Sequence, residues 1–486
     1  MIDKVYSIDS LKTAFSTIQA ELLKHYKTQQ IEKGGLPWEN PDLLKQKIQE
    51  LMNLYQENSS FENKLQKISE TFLQYSNRLH STHYLGHQVA SSIPLAALGE
   101  LLGTMMNQAT GIFEMSPFSA TAERTMIEAL IPYVGWKVGE SDGILTHGGS
   151  LANLTALLSA RNIQIPQSWS YGLQNEKLTP MIAVSREAHY CVKRSGAIMG
   201  LGEKNILTLE TDSKRRIDPE KARAQILKAR AEGNNVFCIV GTSGATPIGS
   251  FDPLHDLAAI AKEVGAWLHV DGAHGGGLLM SSKYRKLLSG IEKCDSLVWD
   301  AHKMMFVPAL STFVLYKTKE ASYRALQQDA PYLFDKADQP TLEYDSAVRT
   351  MECTKRAMVM GVWTVWSVYG PKIFELMVDQ VCQLSQKAYE YLNEQEDFEP
   401  LHEPECNILC FRFLSKRVGE DEQKRSLLQK LIRRQLLQDR KFYITATVLN
   451  GEHCLRVVFM NPQATEQDFK ELCAEVRQIA KTLSET

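Results

Sequence analysis

The chain has 486 residues, of which 44% are hydrophobic, which is enough for a large core in two or three domains. Its formal net charge is -3, with Lys and Arg scattered through helical stretches, so nothing indicates binding to nucleic acid or to an anionic membrane. The N terminus has no charged segment leading into an apolar one, and no run reaches about 18 uninterrupted apolar residues. We therefore expect a cytoplasmic protein with a small-molecule partner and no membrane contact.

Cysteine and histidine spacing gives no metal signal. The nine cysteines are an odd number, widely spread and without a C-x-x-C pair, which favours reduced thiols. The histidines at 80, 83 and 87 have metal-like spacing, but no acidic residue or cysteine accompanies them in that stretch. We predict no metal site.

Residues 1–95 are predicted to form a helical segment. Apolar residues recur at three- and four-residue spacing over 8–27 and 42–76, on either side of a Gly-Gly-Leu-Pro loop at 34–37. Such helices cannot bury their apolar stripes alone, so they should pack on the rest of the chain or on a second subunit.

A large α/β domain is expected to follow at 96–355. It begins with helices at 93–108 and 120–134, and from Gly143 the pattern alternates strand and helix, which indicates a mostly parallel sheet. The predicted strands are short apolar runs at 143–146, 181–185, 236–240 and 311–317, together with the runs that lead to Asp271 and Asp300.

A smaller α+β domain is predicted for 356–486. A long helical stretch at 354–395 is interrupted near Gly370-Pro371, because proline cannot continue a helix. Residues 405–486 then alternate strand, helix, strands and helix, which is typical of a compact α+β domain.

Two apolar runs end abruptly in small and charged residues: His-Val-Asp-Gly-Ala at 269–273 and Asp-Ala-His-Lys at 300–303. Open α/β sheets bind ligands at the carboxyl ends of their strands. A lysine amine forms a Schiff base with an aldehyde, and a carboxylate holds a ring nitrogen protonated, so Lys303 and Asp271 suit a pyridine-aldehyde cofactor. Either residue alone fits a loop cap or a solvated strand end equally well; together they favour a cofactor site.

A glycine-containing turn precedes a helix rich in Ala and Leu within 143–154. Glycines let the backbone approach a phosphate closely, and the free N–H groups of a helix start favour an anion. Ser150 is placed either to cap that helix or to donate to a phosphate. Any capped helix after a glycine turn would have the same pattern.

In the order of these motifs the sequence resembles the group II pyridoxal-phosphate-dependent amino acid decarboxylases, which include glutamate, cysteine sulfinate, diaminobutyrate and aromatic amino acid decarboxylases. The resemblance covers roughly 84–462. It implies the type I fold of pyridoxal-phosphate-dependent enzymes, with a mostly parallel large domain, and pyridoxal 5'-phosphate as the cofactor. It also implies a homodimer with the active site at the subunit interface, to which the turn at 112–115 contributes across the interface.

The resemblance assigns cofactor roles to residues that match the family motifs. They are Lys303 as the attachment point, Asp271 on the ring nitrogen, His189 stacked on the ring, Gly149 and Ser150 on the phosphate, Thr246 near the ring, and His302 beside the lysine.

Two positions depart from the family pattern. Ala245 replaces a common threonine, and Asp300 replaces an asparagine that touches the phosphate in many relatives. An ionised Asp300 would repel the phosphate, so we expect it to point away or to be neutralised by a neighbour.

Substrate roles are also implied by the resemblance. His87 and Gln88 would line the substrate side, Arg456 would fork onto the α-carboxylate, and Tyr332, in a lid at 330–345, would protonate the substrate carbon. Each has an ordinary alternative: exposed loop side chains, a surface arginine and a packed loop tyrosine.

The predicted reaction is α-decarboxylation of an L-amino acid to the amine and carbon dioxide. Gln88 and the lid favour an acidic substrate such as glutamate, aspartate or cysteine sulfinate. His87, and the lack of an obvious second cation for a distal carboxylate, leave diaminobutyrate and aromatic amino acids open.

Two other functions are open from the sequence. One is a different pyridoxal enzyme, such as an aminotransferase or aldehyde synthase, against which the lid tyrosine and the motif order argue. The other is an inactive homologue that binds a true decarboxylase, against which the intact Asp271, His189 and Lys303 argue.

Overall fold

The computed structural model describes residues 2–174, 176–326, 341–419 and 421–485. The helices are α1 (Ile2–Val5), α2 (Ile8–Glu32), α3 (Pro41–Met52), α4 (Phe61–Tyr75), α5 (Pro94–Met105), α6 (Pro117–Val134), α7 (Gly149–Gln164), α8 (Ser168–Tyr171), α9 (Cys191–Ile198), α10 (Pro219–Ala231), α11 (Leu254–Val264), α12 (Ala301–Met304), α13 (Val359–Tyr369), α14 (Lys372–Asn393), α15 (Glu422–Asp439) and α16 (Glu466–Glu485). The strands are β1 (Ala109–Thr110), β2 (Asp142–Thr146), β3 (Thr179–Ser185), β4 (Ile206–Leu209), β5 (Asn234–Thr242), β6 (Trp267–Asp271), β7 (Ser296–Asp300), β8 (Thr312–Tyr316), β9 (Lys355–Arg356), β10 (Phe398–Pro400), β11 (Ile408–Phe413), β12 (Thr445–Leu449) and β13 (Glu452–Val458).

The chain forms two compact units. The small unit comprises Met1–His87, Lys387–Leu401 and Cys410–Thr486, and the large unit comprises Gln88–Gln386 and His402–Leu409. The N-terminal helices therefore belong to the same unit as the C-terminal strands and helices. Across the described ranges, none of the helices combines the length and apolarity needed to cross a membrane.

The large unit is built on a seven-stranded sheet in the order β2-β8-β7-β6-β5-β3-β4. The pairs from β7 to β4 are parallel, whereas β8 runs antiparallel to both of its neighbours, so the sheet is mostly parallel and the predicted fold class is confirmed. Strand β8, the last predicted strand, lies between β2 and β7. Strand β4 was not predicted from the sequence.

Strands β6 and β7 are buried at every residue, which explains why both are short and mostly apolar. Their parallel register pairs His269 with Ser296 and Asp271 with Val298, so both strands end at the same edge of the sheet. The segments after them carry Asp271 and Lys303 to that edge.

The small unit contains a four-stranded sheet in the order β10-β11-β13-β12, and α15 and α16 pack with it. The predicted helix at 42–76 is interrupted: α3 ends at Met52 and α4 begins at Phe61. The break has a local cause, because the Ser60 hydroxyl accepts the Asn63 N–H and caps the start of α4.

A buried ion pair joins α6 to β9 in the large unit. Lys355 Nζ lies 2.6 Å from Glu123 Oε1 and 2.7 Å from the Leu145 carbonyl, and the lysine side chain is fully buried. Burial holds the pKa of Lys355 below its usual range, against the opposing influence of Glu123. Removing one partner of such a pair leaves an uncompensated charge in the core.

We expect Glu123→Leu to lower the free energy of unfolding by about 3 to 5 kcal/mol, because Lys355 would lose its counter-ion. Urea unfolding followed by circular dichroism measures the loss. Glu140→Leu, which removes a carboxylate that is 69% exposed and pairs with an exposed lysine, is the control and should cost less than about 1 kcal/mol. Equal losses for the two variants would contradict the assignment.

Candidate active site

A cavity of about 140 Å³ opens at the carboxyl edge of the large sheet. Its walls include the residues predicted to bind the cofactor: Gly149, Ser150, His189, Thr246, Asp271, His302 and Lys303. It is also lined by Asp300 and by residues to which the sequence analysis gave no role: Asn153, Cys191, Thr242, Gly244, Ala273 and His274.

Lys303 and Asp300 form a buried ion pair on the wall of this cavity. Helix α12 starts directly after β7, and its first turn places Lys303 Nζ 3.0 Å from Asp300 Oδ2. Burial disfavours both charges, but the mutual attraction raises the pKa of Lys303 and holds the pKa of Asp300 below its usual range. Of the two expectations for Asp300, neutralisation by a neighbour is the one observed.

Asp271 ends β6 and is 5% exposed. Its Oδ1 accepts the Ala273 N–H at 3.2 Å, which fixes the carboxylate at the mouth of the strand. Its charge contributes to the raised pKa of Lys303. The two residues on which the cofactor prediction rests therefore face one cavity.

His189 lies in the segment between β3 and α9, two residues before the helix begins at Cys191. Its Nδ1 accepts the Cys191 N–H at 3.3 Å, so the ring proton is on Nε2. Burial lowers the pKa of His189, and the charges of Lys303 and Arg194 lower it further, against Asp271. The imidazole on the cavity wall is therefore neutral at neutral pH.

The start of α7 forms a cradle for an anion. Gly148 precedes the helix with φ +90°, a conformation that favours glycine, and no side chain caps the helix. The free N–H groups of the first turn attract negative charge. Ser150 does not cap α7; its hydroxyl accepts a hydrogen bond from Arg194 Nη2 at 2.9 Å.

These residues fit a pyridine aldehyde that carries a phosphate. An amine, a carboxylate, a flat imidazole and an uncapped helix start meet in one cavity. The buried Thr242 hydroxyl on its wall has no hydrogen-bond partner among the described residues, so a polar group of a bound molecule would satisfy it.

The model of the pyridoxal-dependent decarboxylase conserved domain matches residues 42–414. The chain belongs to this family. Its cofactor is pyridoxal 5'-phosphate and its activity is that of a carboxy-lyase acting on amino acids. The match covers the cavity and every residue predicted to hold the cofactor.

The decarboxylase is similar to curated relatives and solved structures along most of its length. The human protein named acidic amino acid decarboxylase GADL1 is 28% identical over 455 residues, which is 92% of this chain and 86% of that protein. The apo form of mouse CSAD is 26% identical, with a TM-score of 0.87, over 97% of this chain and 98% of that one. The Oryza sativa TDC structure with PLP and tryptamine has a TM-score of 0.90 at 18% identity over 98% of this chain and 99% of that one, so it shows the fold alone.

A buried network beneath the decarboxylase cavity was missed by the sequence analysis. Asn153 Nδ2 donates to the Gly149 carbonyl at 2.9 Å, which leaves Asn153 Oδ1 to accept from His269 Nε2 at 2.8 Å. His269 Nδ1 then accepts from the Ser296 hydroxyl at 2.8 Å, and that hydroxyl accepts from Trp267 Nε1 at 2.9 Å. Burial lowers the pKa of His269 to about 3, so the histidine is a neutral link between α7 and the sheet.

The predicted substrate residues are distributed between the two units. His87 and Arg456 belong to the small unit, where the Tyr443 hydroxyl is 2.9 Å from His87 Nε2. Gln88 belongs to the large unit, and its Nε2 is buried without a hydrogen-bond partner among the described residues. Tyr332 and the lid segment 330–340 lie outside the described residues.

The sequence did not place acidic residues beside the early histidines, but the fold does. His83 Nε2 lies 3.6 Å from Asp468 Oδ1 and 3.3 Å from Glu471 Oε2. Lys33 Nζ lies 2.8 Å from Asp468 Oδ1, so its positive charge balances that carboxylate. These carboxylates lie on α16, and Glu471 is 388 residues from His83, so both fall outside the stretch that the sequence analysis considered.

We expect Ser296→Ala to destabilise the decarboxylase by about 1 to 3 kcal/mol, because it leaves Trp267 Nε1 and His269 Nδ1 buried without partners. Urea unfolding measures the change. Ser289→Ala, at an exposed position seven residues earlier, is the control and should change stability by less than about 0.5 kcal/mol. A Ser296→Ala protein as stable as the control would show that the network contributes nothing.

Proposed function

We propose that this decarboxylase removes the α-carboxyl group of an acidic L-amino acid, namely glutamate, aspartate or cysteine sulfinate, and releases the amine and carbon dioxide. The observation that carries the proposal is the single cavity on which Lys303, Asp271 and the uncapped start of α7 meet.

Each cavity residue has a proposed task. Lys303 binds the cofactor aldehyde, Asp271 keeps the ring nitrogen protonated, and His189 lies against the ring. The cofactor, when bound, supplies an electron-accepting ring for the electrons of the broken carbon–carbon bond. A charge-assisted hydrogen bond such as that of Asp271 contributes about 1.5 to 3 kcal/mol, or roughly one to two powers of ten in rate.

The phosphate of the cofactor is proposed to bind at Gly149 and Ser150. Arg194 donates to the Ser150 hydroxyl and brings a positive charge to the start of α7. The hydroxyl of Thr246 and the imidazole of His302 complete the proposed cofactor contacts.

The positive surroundings of His87 support an acidic substrate. Burial lowers the pKa of His87, and the charges of Arg456 and Arg433 lower it further. Arg433 also lies 5.9 Å from the centre of the Tyr443 ring, whose hydroxyl contacts His87. Arg433 is therefore a second cation of the kind that the sequence analysis did not find.

The substrate α-carboxylate is proposed to pair with Arg456, and Tyr332 is proposed to return a proton to the substrate carbon. Arg456 is 5% exposed and its Nη1 donates to the Thr445 hydroxyl at 3.3 Å, so its guanidinium is held in place. A planar guanidinium binds a carboxylate through two parallel hydrogen bonds. Gln88, with its buried and unpartnered amide nitrogen, is proposed to bind the substrate side chain.

We also propose that the enzyme is a homodimer whose active sites lie at the subunit interface. Leu98, Leu102 and Met106 recur every four residues along α5 and just beyond its end, and they are 58%, 61% and 68% exposed. Residues spaced in this way share one face of a helix. A contiguous apolar face of this kind is typical of a protein–protein interface.

The function is tested by measuring carbon dioxide release from a panel of amino acids. We expect the highest kcat/KM for glutamate, aspartate or cysteine sulfinate, and no turnover by Lys303→Ala with any of them. A preference for diaminobutyrate or for an aromatic amino acid would refute the acidic substrate. Undiminished decarboxylation by Lys303→Ala would refute the site itself.

We expect Arg433→Gln to raise KM for the acidic substrate by about tenfold or more, because a lost charge-assisted hydrogen bond costs roughly 1.5 kcal/mol. Arg434→Gln, an exposed neighbour on the same helix, should leave KM unchanged. Initial rates at several substrate concentrations provide both values. Equal KM values in the two variants would remove Arg433 from the substrate site.

We expect Leu102→Glu to convert the homodimer to monomers, because the interface would have to bury a carboxylate. Sedimentation equilibrium measures the mass directly. Leu178→Glu, which changes a leucine of similar exposure elsewhere in the large unit, should remain dimeric. A wild-type enzyme that sediments as a monomer would refute the dimer.

A further inference from the structure

Asp300 places a carboxylate where the cofactor phosphate is proposed to bind. A Cβ atom added to Gly149 would lie 3.1 and 3.2 Å from its two carboxylate oxygens, so the acid rests against the first residue of α7. It is 1% exposed, and solvent cannot screen it. A phosphate dianion bound beside Gly149 and a buried Asp300 carboxylate would repel each other strongly.

The same carboxylate is hydrogen-bonded to the attachment lysine. Lys303 Nζ lies 3.0 Å from Asp300 Oδ2, within proton-transfer distance, and the Thr312 hydroxyl donates to Oδ1 at 2.6 Å. A lysine must lose a proton before its nitrogen can attack an aldehyde. Attachment of the aldehyde therefore requires Lys303 to lose a proton. Protonation of Asp300 would remove its repulsion of the phosphate.

We propose that Asp300 takes the proton of Lys303 during cofactor attachment and that the resulting carboxylic acid is the form that faces the phosphate. Ammonium and carboxylate become amine and acid. The lysine nitrogen then replaces the aldehyde oxygen, which leaves as water with the two remaining amine hydrogens. The protonated Asp300 donates a hydrogen bond, as the amide of an asparagine would.

Other groups around Asp300 bear on its protonation. His302 Nε2 lies 3.5 Å away on α12, Asp271 shares the cavity from the end of β6, and His189 and Cys191 interact with it electrostatically from the segment after β3. Lys303, by contrast, carries a positive charge and is in hydrogen-bond contact with the carboxylate. This makes Lys303 the proton donor in the proposal.

If Asp300 must be protonated beside the phosphate, the contribution of the phosphate to cofactor affinity should depend on pH. The ratio of the dissociation constant of pyridoxal to that of pyridoxal 5'-phosphate isolates the phosphate, because both compounds use Lys303 in the same way. Above about pH 7.5 a phosphate monoester is a dianion, since its second pKa is about 6. Binding then requires a proton on Asp300, so the ratio should fall as the pH rises.

Both dissociation constants are measured by absorption titration of the enzyme between about pH 7.5 and pH 9.5. In the wild type we expect the ratio to fall by about tenfold or more, since one linked proton changes affinity by up to tenfold per pH unit. In Asp300→Asn, which is nearly isosteric and cannot titrate, the ratio should stay constant. Parallel profiles in the two proteins would overturn the proposal.

Two further variants separate this effect from a general structural change. Thr312→Val removes the hydroxyl that stabilises the carboxylate, so the fall of the ratio should move to higher pH; an unmoved profile would overturn the proposal. Asp295→Asn removes a half-buried acid that precedes the other end of β7 and should keep the wild-type profile. A flattened profile in Asp295→Asn would equally contradict a role specific to Asp300.

The inference rests on the proposed cofactor site. A separate experiment distinguishes an error in that site from an error in the role of Asp300. Borohydride reduction followed by peptide mass spectrometry locates the covalent attachment without any assay of activity. Labelling absent from Lys303 would refute the proposed site. Labelling at Lys303 together with parallel pH profiles would refute only the role of Asp300.

Discussion

The structure of the large unit depends on placing opposite charges at the ends of two buried parallel strands. Strands β6 and β7 are buried at every residue, with the neutral His269 and Ser296 among apolar side chains, and the chain becomes charged only where they end, at Asp271 and in the Asp300–Lys303 pair. Burial of unpaired charges there would be costly, because little solvent reaches them. The Thr312 hydroxyl and the Ala273 N–H donate hydrogen bonds to these carboxylates at 2.6 and 3.2 Å, which fixes the orientation of both acids.

The buried network below the cavity connects these strand ends to the start of α7 by hydrogen bonds. His269 connects the amide of Asn153 to Ser296, and Asn153 in turn holds the first carbonyl of α7. The helix start is thereby tied to the same two strands that carry Asp271 and Lys303. The start of α7 and the two strand ends therefore belong to one hydrogen-bonded framework, and a fixed relative geometry lowers the entropic cost of bringing reacting groups together.

Much of this was predictable because buried strands and their ends have a strong local signal. The runs ending at Asp271 and Asp300, the glycine turn before α7 and the break near Gly370 all follow from the sequence. Interactions over long separations did not: Arg194 reaches Ser150 across 44 residues, and Asp468 reaches Lys33 across 435. The sequence also left two possibilities for Asp300, because the choice depends on a side-chain direction that only packing decides.

Strand β8 runs against its neighbours and carries Thr312 back beside β7 only twelve residues after Asp300. The acid, the lysine and the hydroxyl that tunes them are consequently encoded by one contiguous stretch of thirteen codons, whereas Arg433 and Arg456 are specified far downstream in the small unit. An exchange of this one stretch between relatives would therefore replace the ion pair and its hydroxyl together, while the cavity residues from Gly149 to Asp271 would stay as they are.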